Sequence, residues 1–168
     1  YPASVLLNKG EFEIVNQFQP ATAAAYGHFD DGLNKTGWGV LNVATSPAFS
    51  DTDQMFAAGM LEGYLTATHI VNNAVNMYSV FFPTTPPSQA LFDFLNTQDA
   101  WNRDMVKSNP SVPFWRQAGL INAQLDGLVR GLTHALSEGR APPLPANMSP
   151  TWAAQLLNLA GDLLDILP

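Results

Sequence analysis

Cysteine is absent from this chain of 168 residues. Its absence excludes a disulfide framework, a zinc-thiolate site and a cysteine nucleophile within the chain. It does not exclude secretion, because a core of this size needs no covalent staples. Charge is scarce too: 7 Lys and Arg stand against 14 Asp and Glu, and 12% of residues are charged, about half the usual share. The net charge of -7 leaves no cationic stripe to displace phosphate counterions. That excludes a nucleic-acid partner and counts against docking on anionic lipid. No apolar run reaches the roughly 18 residues of a membrane span, so no transmembrane segment is expected. The chain opens at Tyr1 without Met or a charged-then-apolar leader, and any signal peptide is expected to have been removed.

What is present is apolar. Hydrophobic residues make up 46%, with 4 Trp and 10 Phe in 18.2 kDa. A globule of that mass exposes roughly 8,000 Å². Its few charges would each have to decorate nearly 400 Å² on the same scaling. The chain reads as a single unit, residues 1-168, that buries much of its surface against another polypeptide.

The first third reads as strands. Ser4 to Leu7 and Glu11 to Val15 flank Asn8-Lys9-Gly10, a hairpin turn because Asn and Gly tolerate positive φ. Ala23 to Phe29 and Trp38 to Ala44 flank a polar stretch from Asp30 to Gly37, and three or four antiparallel strands follow. The rest reads as helices. Ser50 and Asp53 form a capping-box pattern that starts a helix near Asp51. That helix runs towards Met77, with Thr66 the place where it could break. Further helices span Ser88 to Lys107 and Phe114 to Ser137. A last one opens at Ser149-Pro150, with Ser as cap and Pro at the first position, and continues through Leu167. Pro142, Pro143 and Pro145 form a stiff linker before it. The fold class is α+β. The final apolar helix, with no polar tail, is read as the product of a cut.

The chemistry-bearing residues give no local site. His28, His69 and His134 lie on separate elements, and none has another His or a carboxylate pair at metal-ligand spacing, so no metal site is expected. Asp30, Asp31, Asn34, Asp51 and Asp53 do not follow the alternation of a calcium loop and read as turn residues. Ser46, Ser79 and Ser88 have no nearby base. No Gly-x-Ser-x-Gly, Walker or Gly-x-Gly-x-x-Gly motif occurs, so no cofactor is expected. Asn34-Lys35-Thr36 and Asn147-Met148-Ser149 are N-glycosylation acceptors in expected loops, the second weakened by Pro150. Gly59 with Gly63, and Gly127 with Gly131, repeat at four-residue spacing inside expected helices. Mid-helix glycine costs about 1 kcal/mol relative to alanine. Either these pairs mark close helix contacts or their spacing is chance.

Five segments in order resemble the N-terminal part of the phospholipase B-like proteins. They are Asn34-Lys35-Thr36-Gly37-Trp38-Gly39-Val40-Leu41, then Ala57 to Ala67 (Ala-Ala-Gly-Met-Leu-Glu-Gly-Tyr-Leu-Thr-Ala), Phe114-Trp115-Arg116-Gln117-Ala118-Gly119, Ala123-Gln124-Leu125-Asp126-Gly127-Leu128 and Gly161-Asp162-Leu163-Leu164-Asp165. The resemblance covers most of the chain from about residue 5. It implies an N-terminal-nucleophile hydrolase with an αββα sandwich, and the two glycosylation acceptors, with the absent cysteine and the missing start, favour a secreted or lysosomal location. In that family a glycosylated precursor cuts itself into two chains that stay together. The second chain begins with the cysteine nucleophile, whose own α-amino group serves as base. This sequence then corresponds to the first chain, with no catalytic residue of its own. Its obligate partner is the C-terminal chain of the same precursor, and the substrate is a lipid or an acyl amide. Two rival readings stand beside this one: a secreted helical binding protein for lipids or other apolar ligands, and a self-contained enzyme using His28 and Asp30.

Overall fold

Asn8-Lys9-Gly10 turns the chain as expected. In the computed structural model, which describes residues 1-166, β1 (Pro2–Asn8) and β2 (Glu11–Val15) form a hairpin with Asn8 opposite Glu11. Lys9 and Gly10 both take positive φ, 52° and 85°, the signature of a two-residue turn whose twist matches that of the strands. β3 (Ala25–Asp31) pairs antiparallel with β1, and β4 (Gly39–Thr45) with β3, giving the order β2-β1-β3-β4. The polar stretch between β3 and β4 is more than a loop. It holds one helical turn, α1 (Leu33–Thr36), closed by Gly37 at φ +78°.

Alternation along the strands gives the sheet two unlike faces. Ala3, Val5, Ala25 and Phe29 are buried and point towards the helices, joined by Phe12, whose ring lies 4.5 Å from that of Phe56. The opposite face carries Tyr26, His28, Asp30, Val40 and Asn42. No helix covers it among the described residues. The β2–β3 loop crosses part of it instead, held by buried Ser4, which donates to Gln17 O and accepts from Gln19 N, both at 2.8 Å.

Ser50 caps α2 (Asp51–Leu65), its Oγ accepting from Asp53 N, and Thr66 breaks the helix before α3 (Ala67–Phe81). α4 (Gln89–Ser108) and α5 (Pro113–Ser137) form a long hairpin, and Ser149 caps α6 (Pro150–Leu159). The last helix does not continue unbroken. Gly161, a poor helix former, follows α6. The Asp162 carbonyl then starts a separate turn, α7 (Leu163–Ile166), which seats Leu163 in the core. The last residue of the expected helix, Leu167, lies outside the described residues. No described helix is long and apolar enough to cross a membrane.

The glycine pairs are contacts. A Cβ at Gly59 would lie 1.9 Å from Gln124 O and one at Gly63 2.1 Å from Leu128 O. Reciprocally, Gly127 and Gly131 face Phe56 O and Met60 O, each at 2.0 Å from the Cβ position. The partners rise together along both helices, so α2 and α5 run parallel, backbone against backbone. Only hydrogen at those four α-carbons permits the approach.

Candidate functional site

The end of that helix pair builds the most developed polar site. Tyr64 sits in the last turn of α2, almost fully buried. At the end of α5, Gly139 N donates to Leu136 O and Arg140 N to Ala135 O, a Schellman closure with Gly139 at φ +69°. This turn aims Glu138 and Arg140 back at Tyr64. The Tyr64 hydroxyl donates to Glu138 Oε2 at 2.7 Å, with the Asn16 side-chain oxygen at 3.0 Å. The Arg140 guanidinium lies 4.5 Å over the phenol ring. His134 Nε2 is 3.3 Å from Glu138 Oε1. Burial first, and the Glu138 carboxylate second, push the phenol's pKa above its ordinary value, so it stays a neutral donor.

Glu138 and His134 open onto a groove of about 790 Å³ between β2 and α5, floored by Phe12, Ile14 and Met60. Its apolar floor and polar rim suit an amphipathic ligand. Its two lining hydroxyls are turned back onto their own helix, Ser137 donating to His134 O and Thr133 to Val129 O, both at 2.7 Å. The groove can bind and orient a polar group.

The residues singled out from sequence are scattered. His28 Nε2 lies 3.6 Å from Asp30 Oδ2 on the helix-free face of the sheet, with Asn42 Nδ2 at 3.3 Å and no hydroxyl bonded to it among the described residues. His69 Nε2 reaches Asp31 Oδ2 at 3.1 Å, tying α3 to the end of β3. Each histidine thus has one carboxylate, and no cluster of three potential metal ligands forms among the described residues. Ser46 accepts from Ala48 N, Ser79 donates to Val75 O and Ser88 caps α4; none meets a base. Asp53 completes the α2 cap and Asp51 pairs with Arg116. Asn34 is exposed on α1. Asn147 is exposed as well, but its Nδ2 donates to the Tyr78 hydroxyl at 2.9 Å.

Tyr64, Glu138, Arg140 and Asn16 had no signal in the sequence. Tyr64 and Glu138 are 74 positions apart, and each alone reads as an ordinary helix residue. The segments that carry the family resemblance, by contrast, are legible in the fold. Gly59, Gly63 and Gly127 belong to the α2–α5 contact, and Asn34 to Leu41 make the α1–β4 passage.

Residues 25–168 match the family model for Phospholipase B. The chain belongs to the phospholipase B family. It is 37% identical over 147 residues to a Phospholipase B of Crotalus adamanteus and 40% identical over 148 residues to a Phospholipase B-like 1 of Bos taurus. It is also 30% identical over 164 residues to a Phospholipase B-like protein D of Dictyostelium discoideum. The first two matches cover 86% of this chain and the third 96%, but only 26%, 26% and 27% of those proteins. The chain spans about a quarter of the length of these phospholipase B relatives.

Proposed function

We propose that this chain is the N-terminal, non-nucleophilic part of an acyl hydrolase acting on phospholipid esters or acyl amides. The nucleophile is the cysteine that opens a second chain cut from the same precursor. The relatives named for phospholipase B support the substrate class, and the family resemblance supports the nucleophile's identity. The observation that carries the reading is the unfinished surface. The accessible area is 9749 Å², where a compact globule of this mass exposes roughly 8,000 Å². Large apolar side chains stand exposed on it, including Trp38 at 75% just before β4 and Val40 at 51% on β4, whose outer edge is unpaired among the described residues. An open, apolar strand edge is a template for another strand. The second chain would extend or stack on this sheet to complete the sandwich.

In that assembly the thiolate attacks the acyl carbonyl and displaces the alcohol or amine, and water then releases the acid from the acyl-enzyme. This chain contributes walls and structure. N-glycosylation at Asn34, and less so at Asn147, and a secreted or lysosomal location belong to the same reading.

The test is hydrolysis by the full-length protein of a phospholipid and of an N-acyl amide, beside a variant whose second chain begins with serine. Fatty-acid release by the parent and its loss in the variant is the expected result. Equal release by both would overturn the nucleophile assignment. A second reading, a lipid carrier without chemistry, is favoured by the apolar groove under Glu138; stoichiometric lipid binding without release would select it.

A further inference from the structure

The tip of the α4–α5 hairpin is unlike the rest of the surface. Trp101 and Trp115 meet edge to face at 5.7 Å across the two helices, and Phe114 meets Trp115 edge to face at 4.9 Å. These rings are not a core: Trp101 is 54% exposed, Phe114 67% and neighbouring Val112 43%. No Asp or Glu lies between Asp104 and Asp126 in a chain that has 14 of them. Arg116 is paired with Asp51, and exposed Lys107 forms no ion pair among the described residues.

The turn is bonded in part, while the Phe114 and Trp115 amides in the first turn of α5 have no side-chain cap. Asn109 N and Nδ2 both donate to Met105 O, Val112 N to Asn109 O and Arg116 N to Val112 O. Trp and Phe beside a lone cation are the residues that settle at a headgroup boundary.

We propose that this tip docks the protein on a zwitterionic phospholipid surface, the rings entering the headgroup–acyl boundary and Lys107 meeting a lipid phosphate. The zwitterionic choice follows from charge: at -7 net the chain gains nothing from anionic headgroups. The choice of phospholipid as the surface rests on the substrate reading above; docking itself requires no hydrolysis.

The test uses the full-length protein and vesicles of ether-linked phosphatidylcholine, which has no ester to cleave. Co-sedimentation is expected for the parent, at least about tenfold weaker in Val112→Ser/Phe114→Ser, with no gain when anionic lipid is added. Failure of the parent to sediment, as when the remainder of the protein covers the tip, would overturn the proposal, as would equal binding by the double variant. A Phe114→Trp variant guards against misfolding: bromine-labelled acyl chains should quench its added fluorescence, and no quenching also overturns the proposal. Hydrolysis of a monomeric short-chain phospholipid is measured in parallel. Its loss with docking intact would sink the substrate reading alone, and its retention without docking would sink the docking alone.

Discussion

Gly63 brings α2 so near to Leu128 that a methyl group at its α-carbon would stand 2.1 Å from the Leu128 carbonyl oxygen. The clash is with backbone, which cannot swing aside as a flexible side chain could. Gly63→Ala or Gly127→Ala must therefore push the two helices apart. In the full-length protein each is expected to cost about 1 to 3 kcal/mol, read as a lower unfolding midpoint. Gly161→Ala is the control, since nothing lies within 4 Å of its Cβ position. Equal midpoints for all three would show that the α2–α5 contact is loose.

Tyr64 makes the site titrate in a defined direction. Its phenol is held neutral above the ordinary value of 10.0, by burial first and Glu138 second. Below about pH 10 native and unfolded states hold the same proton. Above it the unfolded chain releases the proton first, so the native state binds more and stability falls as pH rises towards the native value. Tyr64→Phe is expected to cost about 1 to 2 kcal/mol near neutrality, by stripping Glu138 of its donor. It should also flatten the loss of stability above pH 10. Melting curves of both proteins from pH 8 to 11 test this, and parallel pH profiles would contradict it.

How much of this was legible in sequence depends on how far apart the cooperating residues lie. Lys9-Gly10, the Ser50–Asp53 cap, the break at Thr66 and the Ser149 cap are decided within four residues, so short-range rules reach them. The glycine spacing announced a contact without naming the partner helix. The Tyr64–Glu138–Arg140 cluster could not be read, because it exists only once α5 ends beside α2. Nor could the burial of Ser4, which depends on where a loop crosses the sheet. The break at Gly161 was missed because the leucine spacing continues across it.

Arg103 ties the two helices of the α4–α5 hairpin together. Its Nη1 and Nη2 donate to the two Asp126 oxygens at 2.9 and 2.8 Å, and Nε donates to Asp99 Oδ2 at 2.8 Å. Asp126 first, and Asp99 second, raise the guanidinium's pKa further. The side chain is 41% exposed, so solvent screens much of this and the expected worth is about 0.5 to 1 kcal/mol. Arg103→Lys keeps the charge and loses the fork, and should lose most of that stability. An unchanged chemical-denaturation midpoint would show that charge alone suffices.

The two glycosylation acceptors are expected to differ. Asn34 is exposed on α1 and its side chain makes no hydrogen bond among the described residues. Asn147 donates to Tyr78, and Ser149 of its acceptor motif caps α6 ahead of Trp152. Peptide mass mapping with and without endoglycosidase should find sugar on Asn34 and little on Asn147. The reverse pattern would contradict the assignment.

The assignment of chemistry to a second chain meets its most direct test in N-terminal sequencing of every polypeptide in the purified, active full-length protein. Two chains held together without a disulfide through this one are expected, the second beginning with cysteine. A single uncut active chain, or a second chain opening on a residue other than cysteine, would contradict it.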